Sequence, residues 1–200
     1  MLAGGRGTRF GCGKAFVKLN KKGLIAWTID SLSQISKSII IVTSFEGYDS
    51  FFHTLYIREV IVDLLPGKAA LGGIFTGLSY ASTDYSVVVG CDMPFLNKDL
   101  LKYQLSLAKN YDAVVPRIDD KVEPLHSVYS KSCLPVILKL LQKQTLSISQ
   151  LFAMINTRYV TEDEIAEYDP EFLSIFNINT KHDLALARVF LKKMRLGKNA

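Results

Sequence analysis

Cysteine is scarce in this chain of 200 residues, and the three that occur, Cys12, Cys91 and Cys133, stand far apart with no C-x-x-C pair. That argues against a disulfide framework or a cysteine-built zinc site and fits a reducing cytoplasm. Histidine is equally sparse and dispersed, at His53, His126 and His182. Long apolar runs are missing: a stretch such as Ile39 to Val42 falls far short of the ~20 residues a bilayer demands. No signal peptide precedes the first glycines, so a soluble cytoplasmic protein without membrane attachment is expected. The basic residues are scattered, Lys192, Lys193, Arg195 and Lys198 being the nearest thing to a tract, and no aromatics interleave them. Nucleic acid is therefore not an expected partner. There is no internal repeat, low-complexity segment or linker, and an apolar share of 48% supports one core, so a single domain over 1–200 is expected.

What the chain does have is a net charge of +5, suited to an anionic ligand, and a regular alternation of elements. SIIIVT (38–43), EVIVD (59–63), SVVVG (86–90) and DAVVP (112–116) read as strands, and their unbroken apolar character suits parallel strands covered on both faces. Amphipathic stretches at Ile25–Ile35, Leu71–Ser82 and Asn97–Lys109 read as helices, the last with Asn97 as its N-cap. The second half is less regular, with helices expected over 132–142, 147–154 and 180–193 and a short strand at 176–178. Strand and helix in repeated order predict a three-layer α/β fold with a mostly parallel sheet.

Near the start, LAGGRGTRFGCGK (2–14) packs five glycines, two arginines and a lysine into thirteen positions. Glycines let backbone N–H groups approach an anion closely. A Walker loop fails here, because Thr8 stands where its first glycine belongs and Ala15 follows the lysine. A dinucleotide fingerprint fits poorly as well: Gly5, Gly7 and Gly11 are spaced one residue too long, and Asp30 sits inside a helical run. The third reading is a loop that wraps a nucleoside triphosphate while Arg9 and Lys14 reach its phosphates. Fixed cations there stabilise the charge that builds up when a nucleotidyl group is transferred. SVVVGCDMPFL (86–96) supplies a counterpart, since Asp92 ends a buried strand at the edge where open α/β sheets bind ligands and could hold Mg2+.

Together these segments resemble the molybdenum cofactor guanylyltransferases, nucleotidyltransferases of the MobA type. The opening is similar to their L-A-G-G-x-x-x-R-x-G-x-x-K signature. Asp63, Gly67 and LGGIFTGL (71–78) resemble an acidic strand end followed by G-P-L-x-G-I, and CDMPFL (91–96) resembles the C-D-x-P metal motif. EPLHSVYSKSCLPVI (123–137) resembles the acceptor region, and FNINTKHDL (176–184) the closing N-x-N-T-x-x-D-L. The resemblance implies a Rossmann-like nucleotidyltransferase fold, its N-terminal part for the nucleotide and its C-terminal part for the acceptor. It also implies transfer of GMP from GTP to molybdopterin with release of pyrophosphate, with Mg2+ as cofactor and transient contact with molybdoenzymes or their chaperones. Leu2, Ala3, Gly4 and Gly5 would hold the nucleotide, Arg9 and Lys14 its phosphates, Asp63 the guanosine and Asp92 the Mg2+. Asn177 and Asn179 would lie near the pterin, with Glu123, Pro124 and Leu125 lining its site.

The chain departs from the family pattern at four places. Gly13 replaces an acid before the lysine, Ala69-Ala70 replaces glycine and proline, and His126-Ser127 stand in a variable stretch. Only Met1 precedes L-A-G-G, where several strand residues are expected, so a start some codons upstream is predicted. Two alternatives stay open on the sequence: a cytidylyltransferase acting on the same pterin, and a non-catalytic nucleotide-binding relative.

Overall fold

The computed structural model describes residues 1–4, 13–46, 48 and 59–197, with side chains to residue 194. The unbroken apolar runs form β3 (Ile40–Thr43), β4 (Glu59–Val62), β5 (Tyr85–Val89) and β6 (Ala113–Ile118). Four further strands were not expected from the sequence: β1 (Lys18–Leu19), β2 (Lys22–Gly23), β7 (Lys121–Val122) and β9 (Thr157–Val160). A fifth, β8 (His126–Ser130), is antiparallel to both of its neighbours, β5 and β6. The helices are α1 (Leu24–Leu32), α2 (Ala69–Tyr80), α3 (Lys98–Leu107), α4 (Cys133–Gln142), α5 (Ile148–Met154), α6 (Glu162–Ala166) and α7 (Lys181–Gly197).

Residues 1–3 hold the sheet together. Leu2 bridges Val42 and Gly90 in parallel. Its N–H donates to Val89 O at 2.8 Å and its carbonyl accepts from Cys91 N at 3.0 Å, while Ala3 N donates to Val42 O at 2.8 Å. The strand order is therefore β4, β3, residues 1–3, β5, β8, β6, β9, with β8 reversed and the short β7 also antiparallel to the end of β6. The Met1 ammonium donates to Ile40 O at 2.8 Å, and burial pushes its pKa down to about 5. Beyond it, a cavity of about 260 Å3 is bounded by Ile39 and Ile40 on one side and by Val87 and Val88 on the other.

Alternation along each strand builds the two cores. Val88, Ala113, Val115 and Tyr129 pack with α2, α4 and α5, through residues such as Leu71, Ile74, Ile137 and Phe152. Val89 faces α1 and α3 with Ile25, Leu32 and Leu101, and Val114 and Val128 join Leu100 and Ile165 there. Helices on both faces explain why these strands carry no polar residue on a regular beat. The glycine pair in α2 permits a close approach. A Cβ on Gly72 would lie 2.7 Å from Leu65 O, and one on Gly73 only 3.1 Å from Leu2 Cδ1. Residues 20 and 21 make a hairpin turn between β1 and β2, with Asn20 at φ 49° and Lys21 at φ 68°. The strand expected at 176–178 does not form: Leu173–Ile175 is a 3-10 turn, and Ile178 N makes a single backbone bond, to Asp92 O at 3.0 Å. Among the described residues no helix is long and apolar enough to cross a membrane.

Candidate active site at the carboxyl edge of the sheet

Residues 1–3, β3, β4 and β5 run parallel, so their carboxyl ends reach one edge of the sheet. Ala3 is buried at the end of its short ladder, and Gly4 follows it, exposed. Gly5 and Arg9 lie outside the described residues. Lys14 re-enters on a short 3-10 turn, Lys14–Phe16. Gly13, where the resemblance expects an acid, has φ −55°, a conformation any residue adopts, so the glycine is not demanded by the backbone.

The Lys14 ammonium pairs with Asp92 Oδ2 and also donates to Asn179 Oδ1 at 2.6 Å. Both partners of the ion pair are largely shielded, with side-chain exposures of 16% and 13%. Asp92 lies just past Gly90 and Cys91 at the end of β5, and the backbone on either side of it is pinned. Thr28 Oγ1 lies 3.3 Å from Cys91 O and 3.2 Å from Met93 O, and Ile178 N donates to the Asp92 carbonyl. The last bond brings in the C-terminal segment. Ile178 is fully buried against Leu24, Phe95 and Ala187, while its neighbours Asn177 and Asn179 are respectively half-buried and exposed. Thr180 and Asp183 form a reciprocal cap on α7: Asp183 N donates to Thr180 Oγ1 at 3.1 Å, and Thr180 N to Asp183 Oδ2 at 2.7 Å. Asp183 Oδ2 also accepts from Asn179 N at 2.8 Å. Burial opposes the Asp183 charge, but these donors outweigh it and hold its pKa down. The threonine and aspartate of N-x-N-T-x-x-D-L thus have a structural role: they fix where Asn179 stands.

Glu123 closes the cluster. Its Oε2 accepts from Asn177 Nδ2 at 2.8 Å and its Oε1 from Leu125 N at 3.0 Å. Burial pushes this carboxyl up, the two N–H donors pull it back, and Asp92 and Lys14 act on it with opposite signs. Pro124 contributes its carbonyl, which accepts from Tyr129 Oη at 3.0 Å, and Leu125 packs on the core beneath. Asp63 is placed differently. Its Oδ1 accepts from Leu65 N at 3.0 Å and from Thr76 Oγ1 at 2.7 Å, which ties the end of β4 to α2. No hydrogen bond among the described residues links it to the Lys14–Asp92 pair. Cys91 is buried, with its thiol pushed up to about 12, and His182 is exposed.

Sequence reading had no signal for the pinning of Asp92 by Thr28 and Ile178, because these bonds run between backbone or hydroxyl groups of distant segments. It also missed His126. That ring is fully buried, with Nε2 2.6 Å from Ser174 Oγ, which in turn accepts from Asn97 N at 2.7 Å. This chain of bonds braces the 3-10 turn that leads into Asn177.

Among the described residues no three His, Cys, Asp or Glu side chains meet in a metal cluster. Asp92 presents a single carboxylate, its Oδ2 paired with the Lys14 ammonium, which also holds the Asn179 amide oxygen. That donor set fits Mg2+, which is bound by one or two carboxylates and takes its remaining ligands from water and substrate phosphates.

Residues 1–158 match the family model of the MobA-like NTP transferase domain. A probable molybdenum cofactor guanylyltransferase of Pelotomaculum thermopropionicum is 31% identical over 198 residues, covering 99% of this chain and 95% of that protein. Another, from Peptoclostridium acidaminophilum, is 31% identical over 191 residues, covering 92% and 85%. The crystal structure of molybdopterin-guanine dinucleotide biosynthesis protein A from Archaeoglobus fulgidus aligns with a TM-score of 0.85 at 29% identity, covering 96% of this chain and 97% of that one. The 4-diphosphocytidyl-2C-methyl-D-erythritol synthase of Anaerococcus prevotii, at 17% identity and a TM-score of 0.72, shares the fold over 96% and 93%. The chain belongs to the molybdenum cofactor guanylyltransferase family, nucleotidyltransferases built on the MobA-like NTP transferase domain.

Proposed function

We propose that this protein transfers GMP from GTP to the terminal phosphate of molybdopterin, giving the guanine dinucleotide form of the cofactor and pyrophosphate. The observation that carries the reading is the joining of Lys14, Asp92 and Asn179 at the carboxyl edge of the sheet, in a chain similar to named guanylyltransferases over nearly its whole length. A phosphate oxygen of the pterin attacks the α-phosphorus of GTP, and the bond from that phosphorus to the bridging oxygen breaks as pyrophosphate leaves. The attacking oxygen is already anionic, so no general base is needed, and positioning with charge stabilisation carries the rate. Lys14, with Arg9, binds phosphate oxygens; Leu2, Ala3, Gly4 and Gly5 shape the nucleotide loop; Asp63 helps place the guanosine. Asp92 would hold Mg2+, which neutralises charge on the α-phosphate and the departing pyrophosphate. Asn177 and Asn179 serve the acceptor.

The continuity of the sheet through residues 1–3 supports one domain over 1–200, its N-terminal part for nucleotide and its C-terminal part for acceptor. We place the reaction in the cytoplasm, with transient hand-over of product to molybdoenzymes or their chaperones. The test is turnover of purified protein with molybdopterin and either GTP or CTP, with pyrophosphate and dinucleotide product both measured. The reading expects product with GTP, little with CTP, loss on chelation and recovery with added Mg2+. Equal or better turnover with CTP, or no product with either, contradicts it.

A further inference from the structure

Asn177 and Asn179 flank Ile178, yet their amides are committed in opposite senses. The Asn179 carbonyl accepts from Lys14, so its NH2 group is the part left to meet a ligand. Asn177 is the reverse. Its Nδ2 donates to Glu123 Oε2 at 2.8 Å and to Ile175 O at 3.3 Å. An amide NH2 has two hydrogens, so both are used, and Oδ1 alone remains. An ionised carboxylate can only accept, so the NH2 group of Asn177 is the end it holds. Glu123 is fixed in its turn by Leu125 N on its other oxygen. It also lines a cavity of about 270 Å3, whose other sides are Pro116, Ile118, Val122 and Ile175 together with the charged Asp119 and Lys121.

We infer that Glu123 is a positioning residue that locks the Asn177 carbonyl oxygen toward the acceptor substrate, so that this position reads an N–H donor on the acceptor's heterocycle while Asn179 donates to an anionic oxygen. The inference rests on the transferase reading above. It makes the two asparagines non-equivalent: one is a hydrogen-bond acceptor and the other a donor.

Glu123→Gln tests it with almost no change of shape. Its amide can keep the bond from Leu125 N, but it then turns NH2 toward Asn177, whose own amide must rotate and present NH2 to the substrate. The expected result is a roughly tenfold rise in the KM for molybdopterin, the equivalent of about one hydrogen bond. The kcat should stay within about twofold, and the GTP Kd, measured without acceptor, should not change. In an Asn177→Ala background, itself raised in acceptor KM, Glu123→Gln should add nothing. The swapped pair Glu123→Gln/Asn177→Asp restores a donor facing an acceptor and should recover most of the affinity; it also carries the test if Glu123→Gln alone folds poorly. An acceptor KM unmoved by Glu123→Gln or by Asn177→Ala, a penalty that persists without the Asn177 amide, or no recovery in the swapped pair overturns the inference. A wild-type protein that makes no dinucleotide overturns the transferase reading and this inference with it, and that result is seen before any variant is compared.

Discussion

Ala69 has φ 51°, a left-handed conformation in which a Cβ crowds the following carbonyl, and it is exposed at the head of α2. The family motif has glycine there, and the backbone shows why. Ala69→Gly removes the strain without uncovering a buried methyl, and we expect the folded state to gain about 1 kcal/mol, read as a higher midpoint in urea. An unchanged or lower midpoint would show that the position is not strained. His126 makes a prediction about pH. Burial pushes its imidazole down from 6.5 to about 4. Between those values the unfolded chain binds the extra proton, so this contribution is intact above about pH 6.5 and is lost as pH falls to 4. The loss is on the order of 3 kcal/mol. Urea unfolding at a series of pH values should show the decline, and His126→Asn should flatten it whatever that variant's stability at neutral pH.

At the scale of elements, α3 shows how a sequence signal and a structural role coincide. Asn97 Oδ1 accepts from Asp99 N at 2.9 Å and Leu100 N at 3.1 Å, while Nδ2 donates to Tyr168 O at 2.7 Å. Asn97→Ala loses the cap and the tether and should cost about 2 kcal/mol in chemical denaturation. Asn97→Asp keeps the cap, loses the tether, and should cost about half as much. A silent Asn97→Ala would mean that α3 is held by its apolar face alone. The cap was legible because its signal is local. So were β3 to β6, since burial on both faces leaves an apolar run. The strand β8 was not, because His126 and Ser127 are polar and yet fully buried. His126 Nε2 meets Ser174 Oγ and the Ser127 hydroxyl donates to the Glu123 carbonyl, partners that no window of sequence contains, while His126 Nδ1 is buried without a partner among the described residues. The strand read at 176–178 failed for the complementary reason: Ile178 is buried, but its one backbone bond goes to Asp92 O beyond the end of β5, not to a strand.

Across the whole molecule, the site is drawn from both ends of the chain. Lys14 and Asn179 are 165 positions apart and meet at 2.6 Å. The motifs named these residues through the family resemblance, and the strand end at Asp92 could be read from its pattern alone. The convergence itself could not be read, because it depends on residues 1–3 joining the two halves of the sheet and on one bond from Ile178 to Asp92. The central claim is that this convergence serves nucleotidyl transfer through the charge on Asp92. Asp92→Asn keeps the shape and can still accept hydrogen bonds, but it cannot hold Mg2+ against its hydration shell. The decisive measurement is turnover of Asp92→Asn with GTP and molybdopterin across a Mg2+ titration, with thermal unfolding followed alongside. The account predicts a stably folded protein whose rate is lower by roughly a hundredfold to a thousandfold, and wild-type turnover in that folded variant would contradict it.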